Sequence, residues 1–291
     1  MNAIITQTAR AKLNYALDVL APREDGYHDL CMVMGSVELG DTVTVSLRTD
    51  GAILAESNFP WVPKDERNLG VKAAKAFFAA LGDTKTGAEI HLHKIVPVGA
   101  GMAGGSADAA AVLRALNTLT GAGLGSEELR RIGLAVGSDV PYCITGGMAL
   151  AEGRGERLTS LPDLPPCWIV IAKPGFSIST GELFRQIDSR IIRTRPDTAG
   201  MLSAIRQGDL GGVARRMYNV FEDALPRRSR EIFSIRGELL SHGALGAVMT
   251  GTGSAVFGVF DEENAARKAR EALSGQYRAC FLTRPAPGGA E

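Results

Sequence analysis

The chain has 291 residues, 45% of them hydrophobic and 22% charged, which is ample apolar material for one large or two moderate globular domains. Its 32 Lys and Arg balance its 32 Asp and Glu, so net charge offers no case for nucleic acid or an anionic membrane surface as a partner. No apolar run is long enough to cross a bilayer, residues 1–10 lack the pattern of a signal peptide, and Cys31, Cys143, Cys167 and Cys280 fit neither a CxxC pair nor a zinc spacing; a cytoplasmic enzyme with buried free thiols is expected.

In chain order, residues 4–9 and 12–20 alternate apolar and polar positions and predict strands, separated from the next run, 30–39, by Asp25-Gly26-Tyr27-His28. Residues 42–47 (TVTVSL) predict a further strand, and Asp50-Gly51 a turn into the short run 52–55. Asn68 can cap a helix whose apolar positions Leu69, Val71, Ala73, Ala74, Phe77 and Phe78 recur at helical spacing up to Gly82. A strand over 88–96, an Ala-rich helix over 106–119, a helix from Ser126 to about Gly137 and a strand over 148–152 follow. The Pro-rich stretch 161–166 predicts the boundary between a first half, 1–160, and a second, 161–291. The second half predicts a strand at 167–172, several helices to about His242, strands at 246–249 and 255–260, a helix over 262–274, a strand over 277–283 and a frayed tail, 285–291. The fold class is α+β in two halves, with mostly antiparallel strands in the first.

The segment Pro97-Val98-Gly99-Ala100-Gly101-Met102-Ala103-Gly104-Gly105-Ser106-Ala107 runs from a predicted strand into a predicted helix. Glycines let backbone approach a ligand closely, and a helix N-terminus presents unpaired N–H groups with a positive dipole end, so the segment points to a bound phosphate. A plain flexible connection would not need glycine at 99, 101, 104 and 105 between two regular elements. The Walker pattern GxxxxGK[ST] is absent. Gly99, Gly101 and Gly104 match GxGxxG, but a second helix follows where a dinucleotide-binding unit needs a strand ending in an acidic residue, which argues against a dehydrogenase.

The loop and its flanks resemble the GHMP kinase superfamily and, within it, the diphosphocytidyl-methylerythritol kinases. The resemblance is carried by Ala11-Lys12-Leu13-Asn14 with Asp25-Gly26-Tyr27-His28-Asp29-Leu30, by the glycine-rich loop, by Gly137-Ser138-Asp139-Val140-Pro141 with residues 151–156, and by Met249-Thr250-Gly251-Thr252-Gly253-Ser254-Ala255-Val256-Phe257, in that order over nearly the whole chain. It implies a two-domain GHMP kinase fold, with an N-terminal ribosomal-protein-S5-domain-2-like α/β half and a C-terminal ferredoxin-like α+β half. Family loops usually read GLGGGSSDAA; Met102, Ala103 and Ala107 depart from this, so position 103 must tolerate a Cβ and the second serine hydroxyl is lost.

The resemblance implies ATP and Mg²⁺ as cofactors, a small-molecule substrate (cytidine diphosphate methylerythritol) and an active site between the halves of a monomer or homodimer. It implies that Asp139 is the catalytic base and Lys12 its cationic partner. An Asp in an otherwise apolar stretch and a Lys within an alternating strand are both unusual, although a turn Asp and an edge or snorkelling Lys are the ordinary alternatives. The resemblance places ATP on residues 97–107 with Asn68 and Lys94, although Asn68 also reads as a helix cap, and makes Ser106 the candidate metal ligand. Tyr27 would stack on the cytosine, His28 would hydrogen-bond it, and Phe184 would be the opposite face or else an ordinary helical core residue. Asn14 and Thr180 would contact the methylerythritol part. The loop 251–254 would either be a tight hairpin or close over the phosphates. The alternatives are another GHMP kinase, acting on homoserine, mevalonate or a sugar, and a non-catalytic nucleotide sensor; Tyr27-His28 argue against the first and the joint presence of Lys12 and Asp139 against the second.

Overall fold

Alternation over the first third builds two long strands instead of several short ones. In the computed structural model, which describes residues 3–226 and 229–288, the runs at 4–9 and 12–20 form a single β1 (Ile4–Pro22), and those at 30–39 and 42–47 a single β2 (His28–Arg48). The two pair antiparallel, with register shifts at Arg10/Lys12, Asn14/Ala16 and Val19/Ala21 that let the strands bend without ending. The predicted break at residues 25–28 is their hairpin turn, where the Asp25 carboxylate accepts the Tyr27 N–H at 3.1 Å.

Strand β3 (Ile53–Ser57), helix α1 (Leu69–Leu81) and strand β4 (Gly87–His93) follow. Strand β4 stops three residues short of the expected Val96, because the Asp41 carboxylate takes the N–H groups of Ile95 and Val96 that would otherwise extend the ladder. Helix α2 (Gly104–Thr120) starts two residues earlier than predicted; α3 (Ser126–Val136) is as predicted, and α4 (Val140–Thr145) was not foreseen. Strands β5 (Met148–Gly153) and β6 (Arg157–Ser160) complete the first half.

The second half contains β7 (Trp168–Lys173), α5 (Thr180–Asp188), α6 (Thr198–Gln207), α7 (Leu210–Ala214), the two-residue β8 (Tyr218–Asn219) with a 3₁₀ turn over Val220–Ala224, α8 (Arg230–Ser241), β9 (Gly246–Met249), β10 (Val256–Phe260), α9 (Glu263–Ser274) and β11 (Ala279–Thr283). Its sheet has the antiparallel order β11-β7-β10-β9, with α8 and α9 as crossovers, which is the ferredoxin-like arrangement. The first sheet has the order β3-β4-β2-β1-β8, with β5 on β2 and β6 on β5. Its pairs are antiparallel except β3 with β4 and β1 with β8.

Helices α1, α2 and α3 cover one face of the first sheet through Val43, Val45, Ile90 and Leu92. Leu13, Tyr15 and Val33 join it to Ile171 and Phe257 of the second sheet, with the Tyr15 ring edge-on to Phe257 at 5.3 Å. The tail is not frayed where it is described: Pro285 bridges Val37 and Gly288 bridges Gly146, while 289–291 lie outside the described residues. Cys167 and Cys280 are buried, Cys31 and Cys143 half-buried, and all four are free thiols. No helix among the described residues is long and apolar enough to cross a membrane.

Candidate active site

A cleft of about 640 Å³ runs along the glycine-rich loop. The loop lines its middle, Trp61, Pro63 and Asn68 one stretch of its wall, and Tyr27, Leu30 and Phe184 another. A second hollow of about 780 Å³, beside β11 and α9, contains none of the predicted site residues. Within the loop, Gly99 and Gly101 adopt left-handed backbone (φ +63° and +74°). A Cβ on Gly101 would lie 2.1 Å from the Thr250 carbonyl oxygen, so glycine there is required by close backbone approach.

Ala103 is also left-handed, at φ 55°, directly before the first turn of α2. The Cβ that the sequence required this position to tolerate is therefore accommodated in a conformation that disfavours it, at a cost of roughly 1–2 kcal/mol. After the greater chain entropy of glycine is subtracted, Ala103→Gly should stabilise the protein by about 0.5–1 kcal/mol, read as a higher urea midpoint at unchanged slope.

The loop joining β9 to β10 does two things at once. It is a tight connection, in which Gly253 N donates to Thr250 O at 2.9 Å, and it packs on the glycine-rich loop, where Ala255 N donates to Ala100 O at 3.2 Å and Thr250 Oγ1 to Gly101 O at 3.2 Å. Its Gly251, Thr252 and Gly253 line the cleft. Asn219, 1% exposed, holds it from behind by donating to Met249 O and Gly251 O at 2.8 and 2.7 Å. Nothing in the sequence marked Asn219, which sits in a two-residue strand.

Lys94 lines the cleft, where a nucleotide contact was expected of it, and it also carries a structural role. Its ammonium is buried between the carboxylates of Asp41 and Asp108, the latter at 2.5 Å. Its backbone N–H and C=O both bond the Asn58 side chain, at 2.7 and 3.1 Å. An ammonium held on two carboxylates is fixed in position, here at the wall of the cleft. Burial pushes the Asp108 carboxyl up to about 7, with Lys94 opposing the shift and Asp41 adding to it. One Asp108 oxygen, Oδ1, is buried and accepts no hydrogen bond. Asn68 is the cap of α1, accepting from Gly70 N and donating to Pro63 O, both at 2.8 Å, while it also lines the cleft.

Asp139 stands at the start of α4, yet its carboxylate caps no backbone group. It lines the cleft half-buried, so the helix-end reading does not account for it. Lys12 lines the same cleft from β1 and is buried, so a solvated edge lysine does not describe it. The bulge at Arg10/Lys12 turns this residue toward the loop, where its N–H bonds Met102 O at 3.1 Å. The expected Lys12–Asp139 ion pair is not formed; Lys12 Nζ donates to Asn14 Oδ1 at 2.5 Å. Asn14 is fully buried behind Lys12 and bonded to Thr250, not on the cleft wall where a substrate contact would place it. Ser106 lines the cleft at the first turn of α2, and among the described residues no cluster of three His, Cys, Asp or Glu forms a metal site.

Tyr27, half exposed, and Phe184 both line the cleft. The His28 ring stacks on Phe184 at 4.6 Å and 24°, and Phe184 packs edge-on against Phe221 at 5.0 Å. His28 Nε2 meets Asp188 Oδ1 at 2.7 Å, which fixes the ring and leaves Nδ1 for another partner. Asp188 lies four residues after Phe184 on α5, a spacing that puts both on one helix face; it could be recognised only once α5 is placed against β2. The Arg154 guanidinium lies 4.1 Å over the Tyr27 ring. Thr180 Oγ1 lies 2.9 Å from Thr252 Oγ1, joining α5 to the β9–β10 loop.

The family described as GHMP kinases N terminal domain matches residues 68–147, and GHMP kinases C terminal matches 201–279. The chain is 41% identical to the 4-diphosphocytidyl-2-C-methyl-D-erythritol kinase of Alkaliphilus oremlandii, over 97% of both chains. It is 43% identical to that of Syntrophomonas wolfei, over 97% of this chain and 98% of the relative. A crystal structure of 4-(cytidine 5'-diphospho)-2C-methyl-D-erythritol kinase superposes with TM-score 0.80 at 32% identity, covering 98% of this chain and all of the other. Homoserine kinase from Cytophaga hutchinsonii shares the fold, with TM-score 0.77 at 20% identity over 99% of this chain and 96% of that one.

Proposed function

Since this chain belongs to the GHMP kinases, and within them to the 4-diphosphocytidyl-2-C-methyl-D-erythritol kinases, we propose that it transfers the γ-phosphoryl group of ATP to the 2-hydroxyl of 4-diphosphocytidyl-2-C-methyl-D-erythritol, releasing ADP and the 2-phosphate. It is a phosphotransferase with an alcohol acceptor, and its product belongs to the methylerythritol phosphate route to isoprenoid precursors. The single observation that carries the reading is one cleft lined by a glycine-rich loop, an uncapped carboxylate and the aromatic rings of Tyr27 and Phe184, the latter backed by His28.

Phosphoryl transfer asks the protein for position and charge more than for covalent chemistry. The N–H groups of the loop and the first turn of α2 hold the ATP phosphates. Asp139 takes the proton of the acceptor hydroxyl as that oxygen attacks the γ-phosphorus, and Lys12, held by Asn14, supplies the positive charge beside the transferring group. Mg²⁺ would neutralise phosphate charge while carried chiefly by the nucleotide, with the Ser106 hydroxyl as the protein's oxygen donor; that fits a cleft without a cluster of carboxylates. Tyr27 and His28 recognise the cytosine, and Thr180 bounds the acceptor from α5. The division into halves at residues 160 and 161 belongs to the same reading.

The test is ADP release with ATP and Mg²⁺, with the cytidyl substrate, homoserine and mevalonate run in parallel. Turnover of the cytidyl substrate alone is expected. Turnover of homoserine or mevalonate instead, or ATP binding with no turnover, would refute the reading.

A further inference from the structure

The turn between β5 and β6 presents one side chain, Arg154, to the cleft. Gly153 and Gly155 in this turn are left-handed, at φ +68° and +105°. Glu156 folds back so that its carboxylate accepts the Arg154 backbone N–H at 2.6 Å. This acidic neighbour is thus spent on the main chain, and the guanidinium is left without it. A Cβ on Gly153 would lie 2.8 Å from that same carboxylate, so the glycine permits the arrangement.

The other cations lining the cleft are already engaged. Lys12 bonds Asn14, Lys94 bonds two carboxylates, and Arg67 pairs with Asp65. Among the described residues, the Arg154 guanidinium forms no ion pair, although Asp25 is near enough to feel its charge, and its Nε is buried without a hydrogen-bond partner. A buried guanidinium N–H with no acceptor is costly. Here the group also sits with its Cζ 4.1 Å over the centre of the Tyr27 ring, and Arg154 lines the cleft. An arginine stacked on an aromatic face keeps its N–H edge directed sideways, the orientation that suits bidentate contact to a phosphate.

From this geometry we propose that Arg154 is a substrate-binding residue whose guanidinium takes the diphosphate of the cytidyl substrate. The proposal rests on the functional reading above and adds to it the group that reads the diphosphate. With Arg154 on one face of Tyr27, the pyrimidine stacks on the other. The diphosphate attached to that nucleoside then lies beside the guanidinium edge, between the base and the acceptor hydroxyl at Asp139. Arg154 thereby supplies positive charge to the acceptor's phosphates, separate from the loop that holds those of ATP.

The experiment compares CDP, CMP and cytidine as ligands of the wild type, Arg154→Gln and Arg154→Lys by calorimetry, with KM for ATP and for the cytidyl substrate measured beside it. A charge-assisted contact of this kind predicts that Arg154→Gln weakens CDP by roughly 10–100-fold and cytidine by less than about threefold. KM for the cytidyl substrate should rise in step with the loss of CDP affinity while KM for ATP holds, and Arg154→Lys should recover part of the loss. Equal weakening of CDP and cytidine would reduce Arg154 to a support for Tyr27 and overturn the proposal, as would unchanged CDP binding. Failure of the wild type to bind any cytidine ligand would instead overturn the functional reading, and this inference with it.

Discussion

Asp139→Asn should lower kcat by about 10²–10⁴-fold, the span that a positioned general base contributes, while KM for both substrates changes little. The amide keeps the size and half-buried placement of the carboxylate but cannot take a proton. The structure makes this a clean test, because the Asp139 carboxylate caps no helix N–H and its loss should not unfold α4. A fall in kcat accompanied by an equal fall in thermal stability would point to a structural role. Unchanged kcat would remove Asp139 from the mechanism and turn attention to a water-mediated or substrate-assisted proton path.

The largest stability effect is expected at Lys94→Met. Removing the ammonium leaves Asp41 and Asp108 buried side by side with their mutual repulsion uncompensated. Breaking a buried ion pair by deleting one partner typically costs about 3–5 kcal/mol, a large share of the roughly 5–15 kcal/mol that holds a domain folded. Asp41 also terminates β4 by accepting the N–H groups of Ile95 and Val96, so repulsion there loosens the strand end from which the phosphate loop departs. The urea midpoint should drop sharply, and KM for ATP should rise in whatever fraction remains folded. Removing the carboxylates as well, in Lys94→Met with Asp41→Asn and Asp108→Asn, should recover much of the loss, since a neutral site no longer carries unpaired charge. A loss below about 1 kcal/mol for Lys94→Met would mean that solvent reaches the triad.

Local signals were legible wherever a residue's neighbours in sequence are also its partners in space. The cap at Asn68 and the glycine-rich loop with its helix answer to short-range patterns, whereas the ferredoxin-like second half was implied by the family resemblance alone. The short helix α4 escaped because six residues, one of them proline, carry too little periodicity to be seen. The ion pairs of Lys94 were hidden for a different reason. A lysine near a phosphate loop reads as a phosphate ligand, and only the fold reveals that Asp41, more than fifty residues earlier, arrives beneath it. The partners of Asn14 were hidden likewise: its N–H bonds the Thr250 hydroxyl, 236 residues on, while its side chain takes the Lys12 ammonium. Asp188 reaches His28, and Arg154 reaches Tyr27, by tertiary packing, which a pattern of nearest neighbours cannot encode.

The parallel pairing of β8 with Ala16 and Leu17 of β1 has a consequence for how the chain is made. The strand that covers this edge comes from residues 218–219, some two hundred positions downstream. At ordinary elongation rates of about 5–20 residues per second, roughly 10–40 s separate the two on the ribosome. Over that interval the nascent first sheet holds an open edge, which is the feature through which emerging chains pair with one another. Completion of the first half therefore waits on the second, and the two mature as one unit.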